Sequence, residues 1–278
     1  MMTEAQINET QINETPGTPD GTGINLKIMD PDRYYAFRYA SETRRDLFSI
    51  LAAWQATLRL VPNQVSAPPL GEIRLQWWRD AIDEIVTGKP IRAHPLVQEM
   101  ARAGEHLSPS EWAHIENAIK SLADARARLL YDDPFTDMGN LIDWLKDAEG
   151  AFDVCLHGLA GKTSLDSNRL RQAGALYALA RFGNALPKPQ NIDLNIDLNI
   201  ASDSNNAPTG ENLADYMITA WEDARGKLHG PADGLADDEL AVCLPFAMTR
   251  SYIKGRAGAW SALTRQLTYV GCVLRGKI

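Results

Sequence analysis

Carboxylates spaced four residues apart on a helix point the same way. Two such groups offer oxygen ligands to Mg²⁺, and Mg²⁺ grips a diphosphate. Asp143 and Asp147 have this spacing inside a helical pattern, with Lys146 beside them. A solvated acidic face is the plainer reading of such a run. Asp80 and Glu84 share another helix with Arg79 and Asp83, and ion pairing within that cluster competes with metal binding. Asp133 and Asp137 flank Pro134, which places a turn between them. Asp193 and Asp197 are products of the tandem repeat NIDLNIDLNI. The chain lacks a P-loop, GxGxxG, GxSxG and HExxH. His94, His106, His114, His157 and His229 do not cluster at ligand spacing. Cys155, Cys243 and Cys272 form no CxxC pair and read as reduced thiols.

Helices must position these groups. The clearest is Leu70–Gly88, where Leu70, Ile73, Trp77, Ala81 and Ile85 recur at helical spacing and Trp78 and Ile82 widen the stripe. Before it, Tyr34 to Tyr39 form a short aromatic-rich helix, and Ser41 is placed to cap a longer one reaching Leu60. After it, His94–Glu105 is short. Ser108-Pro109-Ser110-Glu111 spells a serine cap, a first-turn proline and a capping box. Further helices are expected from about Asp137 to Leu159, closed by Gly161, and over Leu165–Leu186, Leu213–Leu228, Glu239–Lys254 and Ala259–Leu274. No strand-type alternation is sustained outside the repeat, so the fold class is all-α.

A net charge of −8 lacks the basic face a general nucleic-acid binder requires. No apolar run approaches the ~18 residues of a membrane span. Glu4, Glu9 and Glu14 with no arginine before Arg33 do not suit a transit peptide, and no secretory signal is present. A cytoplasmic protein is expected. Residues 1–30 contain QINET twice and read as a disordered tail; 31–278 form one domain with a flexible loop at 187–210.

The stretch RRDLFSILAAWQATLRLVPNQVSAPPLGEIRLQWWRDAID, from Arg44 to Asp83, resembles the squalene/phytoene synthase family. YDDP at 131–134, AEGAFDVCLHGLAG at 148–161 and AGALYALARFGNALP at 173–187 are similar to later segments of that family. The resemblance implies an isoprenoid-synthase-like bundle around a central cavity. Active members hold Mg²⁺ on two facing acidic motifs, bind prenyl diphosphates through the metal and couple them head to head.

Here the first acidic motif falls on Ala56, Arg59, Leu60 and Asn63, and no Asp or Glu lies between Asp46 and Glu72. The second falls on Ala178 to Ala185, with Arg181 within it and Pro189 at the next acidic position. The cavity wall is therefore expected to be neutral or cationic, with Arg59, Asn63, Arg79, Asp80, Asp83 and Arg181 as candidate cavity residues and no metal ligand. This pattern looks most like a branch that has shed its acidic motifs and includes a complex I assembly factor. The resemblance implies a catalytically degenerate binding or assembly protein with no cofactor. Its possible partners are a prenyl diphosphate or lipid and respiratory-complex subunits, with contact peripheral to the inner membrane. The alternative is an active Mg²⁺-dependent prenyl-diphosphate transferase, its metal site rebuilt from Asp80, Asp83 or Asp143 and Asp147.

Overall fold

The computed structural model describes residues 25–131, 135, 138–161, 165–182, 222, 237–253 and 262–275. All regular structure among the described residues is helical. The expected helix at 213–228 (apart from Glu222), the loop at 187–210 and the pairs Asp133/Asp137 and Asp193/Asp197 lie outside them.

The folded part begins earlier than the sequence suggests. Helix α1 spans Leu26–Met29 with Leu26 buried, and Asp30 is also buried. Residues 25–30 therefore do not belong to a tail: Asp30 caps α2 (Pro31–Ala36), accepting the Arg33 backbone N–H at 3.1 Å. After a 3₁₀ turn at Phe37–Tyr39, α3 covers Glu42–Leu60. It buries Leu47, Leu51, Trp54 and Leu58 and passes into a 3₁₀ turn at Val61–Gln64. Ser41 precedes α3, but its hydroxyl hydrogen-bonds Asp238 at 3.0 Å instead of capping the helix.

Helix α4 (Pro68–Val86) buries the expected Trp78, Ala81 and Ile82, with Trp77 and Ile85 packed beside them, but its inner face is shifted at the N-terminal end. Gly71, Leu75, Trp78, Ala81 and Ile82 are inside, whereas Leu70 is 50% and Ile73 66% exposed. The reason lies at Gly71, where a Cβ would fall 2.2 Å from a Leu130 methyl. The smallest residue permits the closest approach, and this turns the helix away from the Leu70–Ile73 stripe. Helix α5 (Pro95–Ala103) is capped by the His94 ring, and α6 (Pro109–Ala127) by the expected Ser108–Glu111 capping box.

Next come α7 (Met138–Leu145), a π-helical turn at Lys146–Gly150, and α8 (Ala151–Leu159). Gly161 follows with φ of +84°, a conformation that favours glycine. Helix α9 is Ser167–Phe182. The expected continuous helix at 239–254 is broken into α10 (Asp237–Cys243), a 3₁₀ turn at Leu244–Met248 and α11 (Thr249–Ile253). Pro245 supplies no N–H to an α-helical ladder there. Helix α12 is Ala262–Arg275.

Three apolar clusters hold these helices. One joins α3, α4, α5, α6 and α8 around Trp54 and Trp78, whose rings meet edge-on at 4.9 Å. A second joins α2, α9, α10 and α12 around Tyr177, Phe246 and Tyr269. A third packs α7 on α9 through Trp144 and Leu179. The polar interior described next links residues from all three sets of helices.

Candidate functional site: a buried arginine–carboxylate network

The interior collects charge from α2, α3, α6, the π turn, α8, α9 and α12. Glu149, on the π turn, is 2% exposed. Its carboxylate accepts from Gln55 at 2.8 Å and from Arg59 at 2.9 and 3.3 Å, and also from Arg126. One turn on, Asp153 accepts from Arg33 Nη2 at 2.8 Å. Arg33 is 1% exposed, spends Nη1 on Asp30 and Gln55, and lies 5.1 Å over the Phe152 ring. Asp30 also accepts from Arg181 at 2.6 Å. Arg181 donates to the Tyr177 hydroxyl and to the Met29 carbonyl. Asp32 is fully buried and accepts from the Tyr177 and Tyr252 hydroxyls at 2.9 and 2.6 Å and from Arg265 at 2.7 Å. Separately, His157 meets Glu239 at 3.1 Å.

Four interior carboxylates, Asp30, Asp32, Glu149 and Asp153, thus interleave with the guanidiniums of Arg33, Arg59, Arg126, Arg181 and Arg265. This corrects the expectation of a neutral or cationic wall. The acids are present, but they come from α2, the π turn and α8. Glu149 and Asp153 have the i, i+4 spacing sought at the outset, with glutamate as the first member. The sequence signal was an acidic pair set among apolar and small residues, AEGAFDVCL, and a search for paired aspartates passes over it.

The candidate residues divide sharply. Arg59 and Arg181 are interior and flank Phe182, their guanidiniums 4.2 and 4.5 Å from its ring. Asn63 is exposed on the 3₁₀ turn after α3. Arg79, Asp80 and Asp83 are outside the network. Arg79 pairs with Asp124 at 2.6 Å, Asp80 with Arg92 at 3.3 Å and Asp83 with Lys120 at 2.8 Å. The rotation of α4 that exposes Leu70 and Ile73 leaves this acidic edge in surface ion pairs. Asp143 and Asp147 are likewise exposed, beside Lys146 and Arg171. Two residues are more than half a helical turn, so Asp147 and Glu149 point to opposite sides, and Asp143 lies one turn before Asp147 on the outer side.

Protonation follows from burial set against pairing. Burial pushes the Asp30 carboxyl up, but Arg181, Arg33 and Arg59 outweigh it and hold it down at about 2. Burial likewise opposes ionisation of Glu149, and Arg59 and Arg126 hold it at about 2. Burial lowers Arg126 itself, against the pull of Glu149. For Asp153 burial wins over Arg33, and the neighbouring Glu149 and Asp30 reinforce it, raising the carboxyl to about 6. Its Oδ2 has no hydrogen-bond partner and faces Gly174, where a Cβ would lie 2.3 Å away.

These directions set opposite pH limbs. Asp30 and Glu149 contribute stability that is present above the ordinary carboxylate range and is lost as pH falls toward about 2. Asp153 in the folded chain keeps a proton that the unfolded chain releases at about 3.8, so stability declines as pH rises from there to about 6. Asp153→Asn is expected to flatten this upper limb and leave the acid limb intact. Urea midpoints measured between the two limbs check this; an unchanged slope in the variant contradicts the assignment.

The donor set of this network, among the described residues, does not fit Mg²⁺. The oxygens of Asp30, Asp32 and Glu149 already accept from arginine or tyrosine. A divalent ion would have to displace guanidiniums and remain within a few ångströms of them, where like-charge repulsion is large. Among the described residues no group of three His, Cys, Asp or Glu side chains is arranged to hold a metal.

No curated protein matches the chain. Residues 26–187 match the model of one family, squalene/phytoene synthase. The match begins at α1, runs beyond α9 and includes all four acids of the network. With more than half of its length matched, the chain belongs to the squalene/phytoene synthase family.

Proposed function

We propose that this family member is catalytically degenerate and acts by binding, in the assembly of a respiratory or other membrane-associated complex. One observation carries the first half of this reading. The carboxylates that would meet a metal–diphosphate in the interior are each engaged by the chain's own arginines or tyrosines. A prenyl diphosphate leaves as a strongly anionic group, and its departure needs a positive centre free to receive charge. Arg33, Arg59, Arg126 and Arg181 are committed to internal partners, so their field is largely cancelled where a diphosphate would develop charge. The assembly half rests on the family branch that lacks the acidic motifs, and on Arg59 and Asn63 standing at the first of those motifs here.

Incubation with farnesyl or geranylgeranyl diphosphate and Mg²⁺ is expected to release no pyrophosphate above a protein-free blank. Affinity-tagged protein is expected to co-purify respiratory-complex subunits. Pyrophosphate release that Glu149→Gln abolishes would overturn the degenerate reading and establish a prenyl transferase. Prenyl-diphosphate binding without turnover, weakened by Arg59→Ala, would point instead to a carrier in which arginine grips the anion directly.

A further inference from the structure

Helix α12 has two faces of different character. Its inner face is anchored: Arg265 reaches Asp32 at 2.7 Å, the Tyr269 hydroxyl donates to the Asp32 carbonyl at 3.3 Å, and Cys272 is buried. Its outer face carries Leu263, Leu267, Val270 and Leu274, at 63%, 62%, 40% and 81% exposure. Their spacing of four, three and four places them in a stripe about 60° wide on an α-helix. Single exposed leucines are ordinary on a protein surface, but here the exposed apolar side chains are contiguous along one helix face.

The sequence that carries this helix is equally one-sided in charge. The chain as a whole is −8, yet its last acidic residue is Glu239. Residues 240–278 carry Arg250, Lys254, Arg256, Arg265, Arg275 and Lys277 and no Asp or Glu. An exposed leucine stripe on a helix without acids, with Arg275 in its last turn and Lys277 two residues further along the sequence, is the composition that lies on an anionic lipid surface: apolar side chains enter the acyl boundary and cations meet the headgroups. At 14 residues α12 is about 21 Å long, short of the ~30 Å hydrocarbon core. No helix among the described residues is long and apolar enough to cross a membrane.

We propose that α12 docks the protein on anionic bilayers, with the Leu263–Leu267–Val270–Leu274 stripe inserted at the interface. Because Arg265, Tyr269 and Cys272 hold its other side, the helix presents this stripe already ordered. The proposal is independent of whether the chain turns over a prenyl diphosphate.

The test is co-sedimentation of the full chain with vesicles of phosphatidylcholine alone and of phosphatidylcholine with phosphatidylglycerol. Binding is expected to the anionic vesicles and to weaken with added salt. The double variant Leu267→Glu/Leu274→Glu should lose binding by on the order of a hundredfold, from the apolar burial removed. Arg275→Gln/Lys277→Gln should lose about fivefold for each cation removed. Both variants alter exposed or terminal positions, and each should melt at the wild-type temperature. Equal binding to neutral vesicles, no binding to either, or unchanged binding by the leucine variant would overturn the proposal. So would a wild-type dimer that the leucine variant converts to monomer without any vesicle binding, since a second copy would then cover the stripe.

Discussion

Glu149→Ala is expected to destabilise the protein by about 3–5 kcal/mol, the cost of removing one partner from a buried ion pair. For a chain of this size that lowers Tm by on the order of 10 °C. The reason is asymmetry between the partners left behind. Arg59 has its side chain 19% exposed and can turn toward water, but Arg126 is 2% exposed and cannot. Burial already works against the charge on Arg126, and Glu149 is the group that opposes this. Gln55 also loses its acceptor. Glu149→Gln should fall between wild type and alanine, because an amide oxygen can still accept from Arg59 or Arg126 but carries no charge. Adding Arg126→Met to Glu149→Ala should recover part of the loss, since the stranded guanidinium is removed and apolar volume fills its place beside Trp144. Thermal and urea melts of the three variants check this. A loss under about 1 kcal/mol for the alanine variant would mean that water reaches Arg126 and that the network is not sealed.

Much of the helical framework is legible in the sequence, for local reasons. The Ser108–Glu111 capping box is a short-range signal and appears where the sequence places it. Leu47, Leu51, Trp54 and Leu58 repeat at helical spacing and are inside. Where sequence and structure part, longer-range packing decides. On α4 the expected Trp78, Ala81 and Ile82 are inside, but at its first turns the close approach at Gly71 brings Gly71 and Leu75 inward in place of Leu70 and Ile73. On the segment from α7 to α8 a uniform period is broken by the π turn, and nothing in the local sequence marks the extra residue. Arg59 and Arg181 are legible as lone cations within the apolar helical stretches QATLRL and YALARF. Their partners are not, because Asp30 lies in a stretch with the composition of a tail and Glu149 and Asp153 are brought to α2 and α3 only by the tertiary fold. Residues 47–71 do lack acids, but that gap does not make the interior free of them.

The same crossing that positions Glu149 leaves no room for a methyl group at Gly150. A Cβ there would lie 2.1 Å from the Arg171 carbonyl oxygen, on α9. That contact is with backbone, so no rotamer change relieves it; α9 and the π turn would have to separate. Opposite it, Gly174 presents its own bare backbone, and a Cβ at that position would lie 3.0 Å from the Gly150 Cα and 2.3 Å from Asp153 Oδ2. The two glycines thus set the distance at which α9 passes the carboxylates, and Arg181 and Tyr177 reach Asp30 and Asp32 from that same helix. Gly150→Ala is expected to cost about 3 kcal/mol, at the upper end for overpacking. It should also weaken the links between α9 and α2, so that hydrogen exchange speeds up over both helices and not only around residue 150. By contrast, Gly158→Ala meets only the His114 ring at 3.4 Å or more and should change stability little. If Gly150→Ala melted within a degree or two of wild type, the close passage of α9 over the π turn would be wrong, and with it the geometry that brings Arg181 to Asp30.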